Sequence, residues 1–213
     1  MPRVLIVDDE PDVRELVKIT LKRAGLETLA ASNGERALKK VEREKPDLIL
    51  LDINMPKLDG WETLEEMSKR DWTKEIPVMM FTVEKLTFVK MLRKDLENLV
   101  GYVEKPFTRS GLVETIKDTL DRTNTVRELR DKIRESPKGG EYLADAYVAW
   151  NRTQMIHERV LDKLREMKEK SVGDQKLARI RNVMKGEKQT IEEAKRKKME
   201  ILKSAEIQNF VSE

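Results

Sequence analysis

The chain of 213 residues contains no cysteine and a single histidine, His157. Without thiols there is no disulfide and no thiolate metal site, and the chain fits a reducing compartment. With one imidazole there is no nitrogen-ligand cluster either, so a bound metal would be held by oxygen. No apolar stretch approaches the roughly 20 residues that cross a bilayer, and Met1-Pro2-Arg3 opens straight into a strand pattern. The expectation is a soluble, cytoplasmic protein without membrane contact. Net charge is also scarce, at +3. It is unevenly divided: residues 1–120 carry 21 Lys and Arg against 23 Asp and Glu, and residues 121–213 carry 22 against 17. A net −2 followed by a net +5 is too mild to select an acidic partner or a nucleic acid by itself.

The first 120 residues alternate short β-rich runs with amphipathic segments. Strands are expected near Arg3–Val7, Glu27–Ala31, Leu48–Leu51, Pro77–Phe81 and Gly101–Val103. Helical spacing falls near Asp12–Ala24, Gly34–Glu44, Gly60–Lys69, Lys85–Leu96 and Ser110–Leu120. Gly25 stands where a helix should stop, and Asn33-Gly34 and Asp59-Gly60 are turn signals. Five strands alternating with five helices imply an α/β domain with a parallel sheet between helix layers.

Chemistry gathers at the ends of three of these strands. Leu48-Ile49-Leu50-Leu51 is apolar on both faces and bounded by Pro46 and Pro56, the pattern of a buried central strand. It delivers Asp52 to the carboxyl edge of the sheet, where open α/β sheets keep their sites. Val4-Leu5-Ile6-Val7 delivers Asp8 and Asp9 to the same edge, and Gly101-Tyr102-Val103 leads to Lys105-Pro106. Hard carboxylate oxygens suit Mg²⁺ or Mn²⁺ rather than zinc. Like charges held this close repel one another and invite a cation. Lys105 adds a positive charge for a phosphoryl oxygen, and Thr82, closing the fourth strand, adds a hydroxyl. A carboxylate nucleophile, a metal and donors for developing charge describe an aspartate that accepts a phosphoryl group. Taken singly, each of these residues reads as a cap, a turn or a surface charge; the set in order does not.

Residues 1 to about 120 resemble the receiver domain of two-component response regulators. The resemblance is carried by Val7-Asp8-Asp9-Glu10, Leu51-Asp52-Ile53-Asn54-Met55-Pro56 with Asp59-Gly60, Phe81-Thr82 and Lys105-Pro106-Phe107. It implies a doubly wound, five-stranded parallel sheet of order 2-1-3-4-5, flavodoxin-like. It also implies phosphorylation of Asp52 by a sensor histidine kinase. Mg²⁺ would be held by Asp9, Asp52 and the backbone carbonyl of Asn54, with Asp8 acting through water. Thr82 and Tyr102 would form the switch pair, and the Lys105–Pro106 bond would be cis. Two features depart from the family. Val83 stands where a small residue is usual, and Lys94-Asp95-Leu96-Glu97-Asn98-Leu99-Val100 replaces a small-residue approach to the fifth strand.

Beyond Leu120 the β-rich runs vanish, and residues 121–213 are expected to form a separate all-α extension. The last receiver helix continues through Val126, Leu129 and Ile133 until Ser136-Pro137-Lys138-Gly139-Gly140 breaks it. A second helix is expected over Glu141–Lys170, with a stripe through Ala146, Ala149, Thr153, Ile156, Val160, Leu164 and Met167, widened by Tyr147 and Trp150. A third is expected from Asp174 to about Phe210, heptad-like through Leu177, Ile180, Met184, Ile191, Ala194, Ile201 and Ala205. Glu187 and Lys198 interrupt that pattern, and Gly186 weakens it. The two long helices should fold back as an antiparallel hairpin. Its surplus apolar face needs the first helix, the receiver or a second copy, and a homodimer is the expectation.

No helix-turn-helix is recognisable in the extension. The basic cluster Lys195-Arg196-Lys197-Lys198 is flanked by Glu192, Glu193 and Glu200, the pattern of a solvated helix face. No clustered catalytic set occurs there, so no enzymatic output is expected. The function expected is a response regulator that signals through self-association or a protein partner. The alternative is a nucleic-acid-binding regulator with an atypical helical output, and a poorer alternative is a phosphorelay through His157.

Overall fold

Successive residues of a strand face opposite sides of its sheet. In β1 (Arg3–Val7) both sides are apolar, with Leu5 and Val7 on one and Val4 and Ile6 on the other, all fully buried. β3 (Leu48–Leu51) repeats this, sending Ile49 and Leu51 one way and Leu48 and Leu50 the other. Strands of this kind must be covered on both faces, which is the condition for a parallel sheet between two helix layers.

The computed structural model of the chain describes residues 1–70, 73, 76–82, 98–169 and 174–207. With β2 (Glu27–Ala31), β4 (Val78–Thr82) and β5 (Leu99–Glu104), the strands form one parallel sheet of order β2-β1-β3-β4-β5. Helices α1 (Pro11–Arg23) and the first part of α4 (Arg109–Glu135) cover one face through Val17, Leu21, Leu112, Ile116 and Leu120. Helices α2 (Gly34–Glu44) and α3 (Gly60–Ser68) cover the other through Ala37, Val41, Leu64 and Met67. Each of these side chains larger than alanine contributes roughly 1.5–3 kcal/mol on burial. The helical pattern over residues 85–96, and Val83 with it, lies outside the described residues.

Local chemistry sets the boundaries. After α1, Gly25 adopts φ +83°, and the Gly25 and Leu26 amides bond back to Lys22 and Leu21, closing the helix as a Schellman turn. Asn33 caps α2 by accepting from the Arg36 amide, and Asp59 and Glu62 form a reciprocal capping box on α3. Strand β5 starts two residues before the expected Gly101. Val78 pairs with Leu99 but Met79 pairs with Gly101, so Val100 is an extra residue in the ladder. This bulge brings Leu99 and Tyr102 to one face of the sheet, which a strict two-residue period would forbid.

The chain divides into two compact units, Met1–Thr123 and Asn124–Glu213. The second is helical: the end of α4, then α5 (Glu141–Glu169) and α6 (Asp174–Ser204). Its core joins Leu129 and Ile133 of α4, Ala144 and Tyr147 of α5, and Ile201, Leu202 and Ala205 at the end of α6, with Leu143 and Trp150 packed against it. The surplus apolar face of the hairpin is thus covered by the first of the three helices. Along the start of α5 the buried stripe runs through Ala144, Tyr147 and Met155, not the expected Ala146, Ala149 and Thr153. Tyr147 has far more apolar area to bury than an alanine, and the helix turns accordingly.

Helix α6 ends at Ser204, not near Phe210. Glu206 takes φ +56°, and its amide and that of Ile207 bond back to Lys203 and Leu202. A Schellman turn on a residue other than glycine leaves little trace in sequence. Both polar interruptions of the stripe have partners across the antiparallel hairpin. Glu187 meets His157 Nδ1 at 2.5 Å, and Lys198 donates to Asn151 Oδ1 at 3.0 Å.

Two glycines should respond oppositely to alanine. A Cβ on Gly60 would lie 2.3 Å from the Asp52 carbonyl oxygen and 2.8 Å from the Ile53 Cα, both backbone atoms. A Cβ on Gly186 would meet nothing within 4 Å, in the middle of α6. Gly60→Ala should therefore lower stability by about 1–3 kcal/mol, and Gly186→Ala should raise it by about 0.5–1 kcal/mol. Chemical denaturation of the two variants checks both signs.

Candidate functional site

Parallel strands that share a sheet end together, so their carboxyl termini bring distant residues to one edge. The Asp52 amide donates to the Val7 carbonyl at 2.8 Å, and the Asp8 amide donates to the Ala31 carbonyl at 3.2 Å. The first bond brings the residues after β1 and β3 side by side, and the second ties the end of β1 to β2. Packing of α3 against the turn then fixes its height: the Gly60 amide donates to the Ile53 carbonyl at 2.9 Å, with no room for a side chain between.

Asp8 and Asp52 are buried, at 0% and 4% exposure, while Asp9 is exposed. One carboxylate oxygen from each of the three lies within 4.8 Å of the others. The Lys105 ammonium enters from the end of β5, 2.6 Å from Asp8 Oδ2 and 3.4 Å from Asp52 Oδ1. The longer contact is a charge interaction only. Asp52 Oδ1 is buried and accepts no hydrogen bond. A buried carboxylate oxygen without a donor is costly and is the atom a ligand would satisfy. The all-oxygen set, with that orphaned atom, fits a hard divalent cation of the Mg²⁺ or Mn²⁺ kind.

Two supports of the site have no sequence signature. Arg14 of α1 donates through Nη1 to the carbonyls of Asp8 and Asp9, at 2.7 and 2.8 Å, and so holds the acidic turn. Its partners are backbone atoms, which every residue has, and no side-chain pattern announces them. Lys105 also lies 4.7 Å from the centre of the Phe81 ring, which packs against Phe107 at 5.1 Å. The aromatic face steadies the ammonium. The Lys105–Pro106 bond is cis.

The other sequence candidates are placed as follows. Asn54 is exposed in the turn that follows Asp52. Thr82 is the last residue of β4, in register with Glu104 of β5. Tyr102 is partly buried against the core shared with α2 and α3. Asp8 serves the start of α1 differently from a cap: it accepts from the Glu10 amide at 2.9 Å, and Glu10 occupies the cap position without a side-chain bond. His157 sits in the second unit, its ring largely covered and bonded to the buried Glu187. Lys195, Arg196 and Lys197 are paired in place, with Glu192 and, twice, with Glu200, and Lys198 donates to the uncharged Asn151 Oδ1. Among the described residues no helix is long and apolar enough to cross a membrane.

The profile of the response regulator receiver domain matches residues 4–117. The chain is 34% identical over 143 residues to the alkaline phosphatase synthesis transcriptional regulatory protein PhoP of Bacillus subtilis, covering 67% of this chain and 58% of that protein. It is 32% identical over 143 residues to the DNA-binding dual master transcriptional regulator RpaA of Synechocystis, covering 67% and 56%. The chain thus spans little more than half the length of these relatives. Among solved structures it is similar to the chemotaxis protein CheY4 of Vibrio cholerae, with 33% identity and a TM-score of 0.51 over 55% of this chain and 98% of that one. A CheY-like receiver of Methanospirillum hungatei gives 29% and 0.53, over 59% and 98%.

Burial pushes the Asp52 carboxyl above its ordinary range; the Lys105 ammonium opposes this and the neighbouring Asp8 reinforces it. A carboxyl raised in this way holds its proton more tightly in the folded chain than in the unfolded one. Its contribution to stability is present at low pH and is lost as pH climbs from the ordinary carboxylate range through the raised value. Near neutral pH, in metal-free buffer, Asp52→Asn should therefore melt higher than the parent, with the advantage shrinking in mild acid. Added Mg²⁺ should raise the parent's melting temperature more than the variant's. Thermal melts at two pH values, with and without Mg²⁺, check the sign.

Proposed function

The chain belongs to the response regulator receiver family, and from that premise we propose that it is a two-component response regulator, phosphorylated on Asp52 by a sensor histidine kinase. The observation that carries this is the buried Asp52 Oδ1, which accepts no hydrogen bond although the Lys105 ammonium lies 3.4 Å away, in a residue clustered with Asp8 and Asp9. In this reading the carboxylate of Asp52 attacks the phosphorus of a phosphohistidine on the partner. The new P–O bond forms as the P–N bond breaks, and the imidazole departs. Lys105, anchored on Asp8, meets the negative charge that accumulates on the phosphoryl oxygens. A divalent cation, Mg²⁺ or Mn²⁺, held by Asp9, Asp52 and the Asn54 carbonyl with Asp8 close by, would supply further charge neutralisation. Arg14 keeps the acidic turn from moving as charge arrives.

Thr82 and Tyr102 are the switch pair in this proposal, carrying the change from Asp52 to the face on which Tyr102 packs. Residues 1–120 act as the receiver, and residues 121–213 carry a non-enzymatic output by self-association or by binding a downstream protein. The absence of a membrane-spanning helix among the described residues agrees with action in the cytoplasm. A nucleic-acid-binding output is the second reading, favoured by the names of the transcriptional relatives. Against it stand the carboxylate partners of Lys195, Arg196 and Lys197 and three long helices in place of a short helix-turn-helix.

With Mg²⁺ and acetyl phosphate, the protein should take up one acid-stable, base-labile phosphoryl group. Asp52→Ala should abolish labelling, Lys105→Ala should reduce it, and His157→Ala should leave it unchanged; labelling of the Asp52→Ala protein at the parent level would refute the assignment. Sedimentation before and after phosphorylation separates the outputs: a dimer on phosphorylation marks self-association, and a monomer in both states points to a downstream protein. A gel shift with bulk DNA, weakening steeply with salt, would favour the nucleic-acid reading.

A further inference from the structure

Many surface cations in the helices are met by a carboxylate one turn away. Lys18 pairs with Glu15, Lys69 with Glu66, Arg122 with Asp118, Arg165 with Asp162 and Arg196 with Glu200. On the exposed side of α2 such pairs are sparse and the cations gather at one cavity. Arg36, Lys39, Lys40 and Arg43 recur at helical spacing on one face, and among the described residues only Arg43 has a carboxylate, Glu44 at 2.7 Å. With Arg14 of α1 they line a cavity of about 370 Å³ beside the edge strand β2, floored by Ala30, Ala31 and Ser32 and lined by no acidic residue.

Two of these cations are oriented without being neutralised. Arg14 is held by the carbonyls of Asp8 and Asp9, and Arg36 donates to Ser32 Oγ at 2.9 Å. A merely solvated helix face is convex and leaves its long side chains unbraced; here two guanidiniums are fixed by uncharged oxygens at the wall of a concavity. Guanidinium forks suit oxyanions, and four cations without a carboxylate call for a ligand of several negative charges. The volume is at the small end of ligand sites, of order 300–1,000 Å³. That is room for a small molecule, where a nucleic-acid strand would need an open track.

We propose that this groove between α1 and α2 is a binding site for a small polyphosphate-bearing anion, such as a compound with a di- or triphosphate group. The site stands apart from phosphorylation of Asp52 and does not depend on it. Through Arg14 its inner wall touches the backbone of the Asp8–Asp9 turn.

Calorimetric titration of the full-length protein with inorganic tripolyphosphate, in metal-free low-salt buffer, tests it. Saturable binding at one site is expected, retained by Asp52→Asn. The triple variant Arg36→Gln/Lys39→Gln/Lys40→Gln should bind about tenfold more weakly or worse, since tenfold corresponds to only about 1.4 kcal/mol. Its far-ultraviolet circular dichroism should match the parent's, because Arg36 and Lys39 are exposed and Lys40 is half-buried. Lys163→Gln/Lys195→Gln, which removes two cations of the second unit, should bind like the parent. The proposal is overturned if no saturable binding occurs, or if the triple variant binds as tightly as the parent. It is also overturned if a short oligonucleotide binds through these cations while tripolyphosphate does not.

Discussion

One ammonium makes the acidic edge of this sheet possible. Asp8 and Asp52 are both buried, and two carboxylates in that state repel and each lacks water. Lys105, itself 8% exposed, lies 2.6 Å from the first and 3.4 Å from the second. It reaches them only because β5 ends at the same edge as β1 and β3, separated from β3 by β4 in a parallel order. Lys105 satisfies Asp8 with a hydrogen bond and leaves an oxygen of Asp52 without one. The structure thus sets a hydrogen-bonded carboxylate beside one with an oxygen left without a donor, and the asymmetry between the two follows from the position of one nitrogen.

The turn that presents Asp52 is held with comparable economy. Gly60 lets α3 approach the backbone of Asp52 and Ile53, and the capping box of Asp59 and Glu62 fixes where that helix begins. Arg14 restrains the opposing turn from α1. Helices on both faces therefore reach the site through backbone contacts.

The helical unit uses polar groups differently. Most of its exposed ion pairs are single-turn contacts, with Lys138–Glu206 a long-range exception, each worth only about 0–1 kcal/mol. The cross-helix contacts are of another kind: His157 with Glu187 and Lys198 with Asn151 join residues far apart in sequence, in the seam of an antiparallel pair. Sliding the helices by one turn would strand a buried Glu187, so these contacts specify alignment more than they add stability.

The receiver fold was legible because its signals are local or periodic. Runs apolar on both faces mark buried parallel strands, and Asp8, Asp9, Asp52 and Lys105 each follow such a run, so the shared edge followed from the sheet order. Gly25, Asn33 and Asp59 announced helix boundaries through their own side chains, or the lack of one. The sequence by itself therefore determined the elements, the sheet and which charged residues meet. Tertiary structure alone decided what depends on partners distant in the chain. The bulge at Val100 turns Tyr102 toward the core of α2 and α3. Arg14 grips carbonyls that carry no side-chain identity, and of the three covers that sequence allowed for the hairpin face, packing takes α4. Glu187 and Lys198, which interrupt a stripe in one dimension, are matched pairs in three. Periodicity reports which face of an element is apolar; only packing reports what lies against it.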